Sequence, residues 1–364
     1  MPWWLLGKRP AKDESRLRRA GRHLDEDLGL LLRHLKILPA AIVPDLVLVV
    51  GSIDMDLFFC GKESHNFGDY LNPWFWQQCL PGVLDEDPRE MVFGIGTILC
   101  SGKPMPTRTE RIHVLGSGYG YGDQEPDPRL SVWFVRGPRT AAKLNLDVSF
   151  AISDPAMLLP RFISSPQPAV VHKKAFIPHI GSITHCDWAT PCSLAGIHLI
   201  DPRLPTLEFI ASVRASRVIL AESMHGAITA DSFGVPWIPI ISSSEILSFK
   251  WQDWLDTLEL DYRPYRIPQR IPFGWPRIRR GLRCLAKDLG LPKKSSRISR
   301  VSLFRCQPGN EICAEALLSA SNQPAVLSDE TIRENVAERL SDRIYTFALF
   351  AKDQAERTSK TPDR

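Results

Sequence analysis

Residues 217–237 read Arg-Val-Ile-Leu-Ala-Glu-Ser-Met-His-Gly-Ala-Ile-Thr-Ala-Asp-Ser-Phe-Gly-Val-Pro-Trp. The apolar start predicts a strand over 217–221, the next part a helix over 224–233, and the end a second strand over 235–240. Parallel strands need a crossover connection, usually a helix, whereas antiparallel strands do not. This order therefore predicts an α/β fold built on parallel sheets.

The same alternation of short apolar strands and helical patterns extends in both directions. The predicted strands lie at 55–60, 91–96, 111–116, 132–135 and 148–152, and then at 175–179 and 198–200, with a further helix at 207–215. A proline-punctuated stretch, 159–168, predicts a linker between the two sets. We expect two Rossmann-like lobes in a GT-B-like arrangement, facing a cleft at the carboxyl ends of their strands.

This organisation divides the chain into four regions. Residues 1–54 form an extension of uncertain structure, 55–160 the first lobe and 161–265 the second. Residues 266–364 form a basic, mostly helical region with a disordered tail, in which Ser328 is the predicted N-cap of a helix over 329–353. We expect the functional protein to begin near Met55, which an intact mass of the natural protein would check.

Composition and charge narrow the classes of function. The 364 residues are 44% hydrophobic and 24% charged, with a formal net charge of only +4, so we expect no nucleic-acid partner. Residues 263–305 nevertheless hold thirteen Lys or Arg and one acid, Asp288. This basic stretch is either a solvated face or a peripheral contact with the inner face of the plasma membrane.

The cysteines and the apolar segments indicate a location. Eight cysteines occur without a CxxC pair, which predicts neither a zinc site nor a disulfide framework and favours a reducing compartment. The longest apolar run, 37–51, is short and contains Pro39, Pro44 and Asp45, so we predict neither a transmembrane helix nor a signal peptide. The expected location is cytoplasmic.

The first candidate site is the turn between the strand and the helix of the opening segment. Ser223, His225 and Gly226 lie where backbone amides and the helix dipole favour a phosphate or carboxylate. An imidazole there could also exchange protons. The alternative is that His225 only caps the helix and Gly226 only permits close packing.

The second candidate site follows the predicted strand 132–135. Arg136 and Arg139 flank Pro138, which suits the first turn of a helix. Two guanidinium groups on one turn match the phosphate and the carboxylate of a small anionic ligand. Alternatively, one or both arginines are solvated surface charges.

The third candidate site is the loop after the strand that begins at Met55. Gly68 permits close backbone approach, while Asn66 and Asp69 offer hydrogen bonds of the kind that sugar hydroxyls need. Asp69 is equally a candidate N-cap of the helix that follows.

Two weaker patterns predict no cofactor. The glycines of 116–122 resemble a dinucleotide motif, but 123–128 lack the helix that this motif requires, so we exclude NAD. His179, near His185, Cys186 and Asp187, could be a metal ligand, but its place at a strand end favours a histidine that lines the site, and no metal is predicted.

Taken together, these residues resemble the polysaccharide pyruvyltransferase family, and most closely the ketal pyruvyltransferases of succinoglycan-type exopolysaccharide synthesis. The matching pieces are collinear, at 66–74, 94–97, 116–118, 135–141, 153–156, 177–179, 221–227 and 248–251. The resemblance implies a two-lobed fold, phosphoenolpyruvate as donor and a lipid-linked oligosaccharide as acceptor. By its motifs it assigns donor binding to His225 and Arg136, whereas Arg139, His179 and Asp69 are added from position and chemistry.

The implied reaction forms a ketal on a hexose. We predict that the arginines hold the donor, that His225 donates a proton or binds the donor phosphate, and that Asp69 is a base for the attacking hydroxyl. The competing hypotheses are a glycosyltransferase of the same architecture that uses a nucleotide sugar, and a non-catalytic scaffold in envelope polysaccharide assembly.

Overall fold

The computed structural model describes residues 55–59, 65–84, 88–99, 108–120, 126–243, 246–268 and 309–359. The predicted extension 1–54, most of the basic stretch 263–305 and the end of the tail lie outside these residues. The described part is a mixed α/β structure with two sheets in which every strand pairing is parallel.

The first sheet contains four strands in the order β1-β2-β3-β4. Their bounds are β1 Met55–Phe58, β2 Glu90–Phe93, β3 Arg111–Leu115 and β4 Leu130–Phe134. Helix α1, Phe67–Cys79, follows β1, and helix α2, Pro138–Lys143, follows β4. All four strands lie where the apolar runs predicted them.

The second sheet contains five strands in the order β6-β5-β7-β8-β9. Their bounds are β5 Ala175–Ile177, β6 His198–Leu199, β7 Ile219–Ala221, β8 Trp237–Ile241 and β9 Tyr265–Arg266. The helices between and around them are α3 Leu159–Phe162, α4 Ile180–His185, α5 Ala189–Ala195, α6 Thr206–Arg214, α7 Met224–Ser232 and α8 Ser248–Leu255. The predicted strand-helix-strand unit of 217–240 is confirmed.

One predicted strand, 148–152, is wrong. Residues Val148–Phe150 form a 3-10 turn, and Ala151 makes only a single bridge to Val135. The cause is Asp147, whose carboxylate accepts a hydrogen bond from Ser149 N at 2.9 Å. Such a local side-chain bond competes with strand formation.

The helical C-terminal region is confirmed within the described residues. Helix α9, Asn310–Ala320, packs on α5, and helix α10, Glu330–Ser359, buries Leu340, Ile344 and Phe347. Near its middle, Arg343 Nη1 donates to Trp133 O at 2.8 Å, so α10 lies against β4 of the first sheet. No helix in the described ranges combines the length and apolar composition needed to cross a bilayer.

The predicted N-cap of α10 is wrong by one residue. Asp329 caps the helix, because its Oδ1 accepts from Thr331 N at 2.8 Å. Ser328 bonds Asp231 instead, through its backbone N at 3.0 Å and its hydroxyl. This contact ties the start of α10 to α7, and a side chain that bonds another helix is not available to cap its own.

The two sheets share a core. Phe67 of α1 stacks on Phe209 of α6 with ring centroids 3.8 Å apart, and Phe67 N donates to Pro202 O at 2.7 Å. The stretch predicted as a linker begins as α3, whose Leu159 and Phe162 are fully buried. The domain boundaries drawn from the sequence remain predictions.

Candidate active site

The carboxyl edge of the second sheet is held together by one buried carboxylate. Glu222, directly after β7, accepts from His179 N at 2.9 Å and from Ser242 N at 3.2 Å, and also from the Ser242 hydroxyl. Burial raises the pKa of Glu222, although these hydrogen bonds oppose the rise. Glu222 therefore fixes the ends of β5, β7 and β8 relative to one another. The sequence analysis did not predict this role.

Helix α7 begins at this edge. Ser223 is its N-cap, with its hydroxyl accepting from Gly226 N at 3.3 Å. A Cβ on Gly226 would lie 2.9 Å from the side chain of Ile177 in β5, so glycine allows the helix to pack tightly on the sheet. Both residues have clear structural roles here, and their predicted contact with substrate stays a prediction.

His225 occupies the first turn of α7 and lies between two other elements. Its Nε2 is 3.6 Å from Oδ2 of Asp154, and neither atom has a hydrogen-bond partner among the described residues. On the other side, a Cβ on Gly68 would lie 2.0 Å from Nδ1 of the ring. The structure therefore brings together two predicted site residues, His225 and Gly68. It also places Asp154, which was not a predicted site residue, beside His225.

The first turn of α1 supplies the other predicted polar residues. Asn66 is at the N-cap position, and its Nδ2 donates to Asp69 Oδ2 at 2.9 Å. Asp69 N bonds Asn66 O at 3.0 Å, so Asp69 lies inside the helix. The alternative that Asp69 is itself the N-cap is wrong.

Arg136 is fully buried and engaged on three sides. Its Nε donates to Asp253 Oδ2 at 3.2 Å, Nη1 to Thr97 Oγ1 at 2.8 Å, and Nη2 to the carbonyl of Tyr119 at 3.3 Å. The loop of Gly118 presses on the guanidinium, since a Cβ there would lie 2.2 Å from Cζ. The alternative hypothesis that Arg136 is a solvated surface charge is therefore wrong.

Arg139 has a different environment. Its side chain is 42% exposed and pairs with Asp256 at 2.7 Å. Together with Gln252, Tyr262 and Arg263 it lines a cavity of about 250 Å³. The two arginines of one turn therefore pair with two different carboxylates, Asp253 within α8 and Asp256 directly after it, and their joint binding of one anion stays a prediction.

His179 lies two residues after the end of β5 and caps α4. Its Nδ1 accepts from Gly181 N at 3.2 Å. Burial, together with the positive charge of the buried Lys250, lowers the pKa of His179 to about 3. His179 is therefore neutral at ordinary pH, and within the described ranges no three side chains form a metal-binding group around it or elsewhere.

The depressed pKa of His179 predicts a loss of stability in acid. Below pH about 6.5 His179 is protonated in the unfolded chain but stays neutral in the native protein. The free energy of unfolding therefore falls by up to about 1.4 kcal/mol for each pH unit. His179→Asn retains a capping oxygen and removes this titration. Urea unfolding at pH 7, 6 and 5 should show a shallower decline for the variant.

The decline should not vanish entirely, because burial also lowers the pKa of His198 to about 4. His65→Asn is the matched control, because the His65 side chain is exposed. Parallel pH curves for the His179 variant and the unmodified protein would contradict the prediction.

Known proteins are similar to this chain over a range that contains several of the site residues. A family model described as polysaccharide pyruvyl transferase matches residues 128–244. The succinoglycan biosynthesis protein ExoV of Rhizobium meliloti (strain 1021) is 38% identical over 217 residues, which are 59% of this chain and 68% of ExoV. The matched range 128–244 contains Arg136, Asp154, His179, Glu222 and His225.

Proposed function

The chain belongs to the polysaccharide pyruvyl transferase family and is a transferase, and we propose the donor, the acceptor and the residues that act on them. The proposed donor is phosphoenolpyruvate, used as a substrate without a further cofactor. The proposed acceptor is a hexose of a lipid-linked oligosaccharide on its way to an exopolysaccharide. The product is a ketal of pyruvate on two hydroxyls of that hexose.

One observation carries this proposal, namely the placement of His225. The imidazole lies in the first turn of α7, where backbone N–H groups attract anions, and its side chain is 13% exposed. A phosphorylated carboxylate such as phosphoenolpyruvate suits this environment, and it needs a proton donor. Lys250, buried near His179, adds positive charge on the same edge of the sheet.

The proposed cleft lies between the carboxyl edges of the two sheets, in a GT-B-like arrangement. His225 follows β7 of the second sheet and Gly68 follows β1 of the first, and these residues are in contact. The buried pair of Arg136 after β4 and Asp253 in α8 joins the same edges. These two contacts support the proposal of a two-lobed arrangement with the site between the two sheets.

The proposed reaction begins with transfer of a proton from His225 to the methylene carbon of phosphoenolpyruvate. Positive charge then develops on the neighbouring carbon, and a sugar hydroxyl forms a bond to it, with Asp69 as the base that accepts the hydroxyl proton. The bond from that carbon to the phosphate oxygen breaks and inorganic phosphate leaves, which restores the positive charge on the carbon. The second hydroxyl then forms a bond to this carbon and gives its proton to the neutral His225, which closes the ketal. Asn66 and Gly68 are proposed to contact the acceptor.

The donor's negative groups require fixed positive partners. Arg139 is the more accessible candidate, because it is partly exposed and its ion pair with Asp256 is at the surface. Arg136 is the buried candidate, because three of its five N–H groups bond protein acceptors and the second N–H of Nη1 and of Nη2 could bind the donor. His179 is neutral and its Nδ1 is occupied, so we propose that it shapes the edge of the sheet beside the donor.

The proposed place of action is the cytoplasm, at the inner face of the plasma membrane, where a lipid-linked acceptor would be available. The thirteen basic residues of 263–305 would favour an anionic surface there. Most of that stretch lies outside the described residues.

The test is phosphate release from phosphoenolpyruvate by the purified full chain, with and without a lipid-linked oligosaccharide extract. We expect acceptor-dependent release, and an increase in acceptor mass equal to one pyruvic acid less one water. A parallel reaction with nucleotide sugars serves as the control. Consumption of a nucleotide sugar without any reaction of phosphoenolpyruvate would contradict the proposal.

A further inference from the structure

Asp154 is a fully buried carboxylate with one oxygen in use. It caps the 3-10 turn Pro155–Leu158, with Oδ1 accepting from Ala156 N at 3.0 Å. Within the part of the chain that the structure describes, Oδ2 is shielded from solvent and has no hydrogen-bond partner. A buried carboxylate oxygen without a partner costs free energy, so the capping role alone does not account for an aspartate here.

The group that faces this oxygen is the imidazole of His225. Its Nε2 lies 3.6 Å from Asp154 Oδ2 and, within the described ranges, is also buried without a hydrogen bond. This separation is longer than a hydrogen bond. Hydrogen bonds between catalytic groups are often long without substrate and shorten in the complex. We therefore take Nε2 as the donor and Asp154 Oδ2 as the acceptor of one such hydrogen bond.

Other charged side chains on the elements around α7 have different partners or positions. Asp69 of α1 accepts from Asn66, and Arg214 of α6 donates to Ser165. Arg161 of α3 is exposed and Glu208 of α6 is partly exposed. Within the described residues, Asp154 is the ion-pair partner of His225.

We propose that Asp154 is a positioning residue for His225 in the proposed reaction, and this inference rests on the proposed function. Asp154 accepts the Nε2 proton and fixes the ring in the Nε2–H tautomer when it is neutral. Nδ1, on the side of Gly68, is then the nitrogen that exchanges a proton with the donor. Because Gly68 has no side chain, the ring packs directly against its backbone. The His225 side chain keeps 13% of its surface exposed, and this exposed part does not include Nε2.

The proton balance is simple. Nδ1 of the imidazolium gives its proton to the methylene carbon of phosphoenolpyruvate, and the neutral ring that remains keeps its Nε2 proton on the side of Asp154. A ring with the opposite tautomer would carry its proton at Nδ1 and expose no basic nitrogen there. It could not be recharged at the nitrogen that faces the substrate.

Asp154→Asn tests this tautomer directly. Since one side-chain oxygen must still accept from Ala156 N, the new amide places its NH2 group toward Nε2 and turns an acceptor into a donor. Nε2 must then accept, and the neutral ring carries its proton at Nδ1. We expect kcat to fall about 100-fold with the KM for phosphoenolpyruvate changed less than about threefold.

The ring tautomer is read independently of activity by 15N NMR of the side chain at alkaline pH, with His225→Gln identifying the signal. We expect a proton on Nε2 in the unmodified protein and on Nδ1 in the Asp154→Asn variant. Asp147→Asn is the matched control, because Asp147 caps a 3-10 turn in the same way, from Ser149 N, and is exposed. It should leave kcat and the tautomer unchanged.

A proton on Nδ1 in the unmodified protein would overturn the proposal, even if the Asp154 variant failed to fold. So would an Asp154→Asn variant with unchanged kcat and tautomer. A protein that never releases phosphate from phosphoenolpyruvate would instead overturn the proposed function, and the NMR measurement would still decide whether Asp154 orients His225.

Discussion

Replacement of His225 by glutamine should reduce acceptor-dependent phosphate release by about 10²- to 10⁴-fold, the usual contribution of a general acid or base. The variant lacks a group that can donate a proton to the methylene carbon of phosphoenolpyruvate. Glutamine can still donate a hydrogen bond to the buried Asp154 Oδ2, whereas His225→Ala would leave that oxygen facing a cavity. We therefore expect the glutamine variant to retain its thermal stability.

The measurement is the initial rate of phosphate release with saturating donor and acceptor, alongside thermal melting. His172→Gln is a suitable control, because His172 precedes β5, at the opposite edge of the second sheet, where its ring stacks on His198. That variant should keep its rate. A His225→Gln protein within about tenfold of the unmodified rate would remove His225 as proton donor.

The prediction of the fold from sequence succeeded where burial leaves a continuous apolar run. Strand β7, Ile219–Ala221, is buried throughout, and the turn after it carries the capping residue Ser223. Both signals are local, and the helix and strand boundaries follow from them. At 148–152 a similar apolar pattern failed, because the neighbouring Asp147 bonds the backbone and sets a 3-10 turn.

The site was less predictable, because its contacts join distant parts of the chain. The turn of His225 was recognisable by itself, but nothing near His225 in the sequence indicates that Asp154 faces its ring. Asp154 belongs to one of the collinear family pieces, which was the available signal for it. Its role depends on the packing of α7 against the turn Pro155–Leu158.

Arg136 and Arg139 illustrate the same limit. They occupy one turn and looked equivalent, but their environments are set by Asp253 and Asp256, each 117 residues further along the chain. One pair is fully buried and the other is partly exposed. A local pattern cannot distinguish these cases, because burial is a property of the assembled fold.

Asp253→Ala should lower the free energy of unfolding by about 3–5 kcal/mol, the usual cost of removing one partner from a buried ion pair. Asp253 Oδ2 accepts from Arg136 Nε and, at 2.6 Å, from the Thr140 hydroxyl, while Oδ1 accepts from Thr140 N at 2.8 Å. The variant leaves the guanidinium charge of Arg136 buried without its carboxylate. Urea unfolding at neutral pH, followed by circular dichroism, measures the loss.

The chain provides a matched control in Asp256→Ala. Asp256 pairs with Arg139 across the same connection between α2 and the end of α8, but the two side chains are 33% and 42% exposed. An exposed pair contributes at most about 1 kcal/mol. Equal losses in the two variants would contradict the assignment of Asp253 as a buried structural partner.

The Asp253 variant also separates the two roles that remain open for Arg136. If Arg136 only supports the fold, the variant should gain no more stability from phosphoenolpyruvate than the unmodified protein does, because no new donor contact is created. If Arg136 binds the donor, Asp253 competes with the donor for the positive charge of the guanidinium, and removing this carboxylate should tighten donor binding. Bound ligand raises stability in proportion to the logarithm of its concentration over Kd, so the shift in melting temperature with phosphoenolpyruvate reports the difference. A larger shift in Asp253→Ala than in Asp256→Ala would assign Arg136 to the donor, whereas an equal or smaller shift would leave donor binding to the more accessible Arg139 and the first turn of α7.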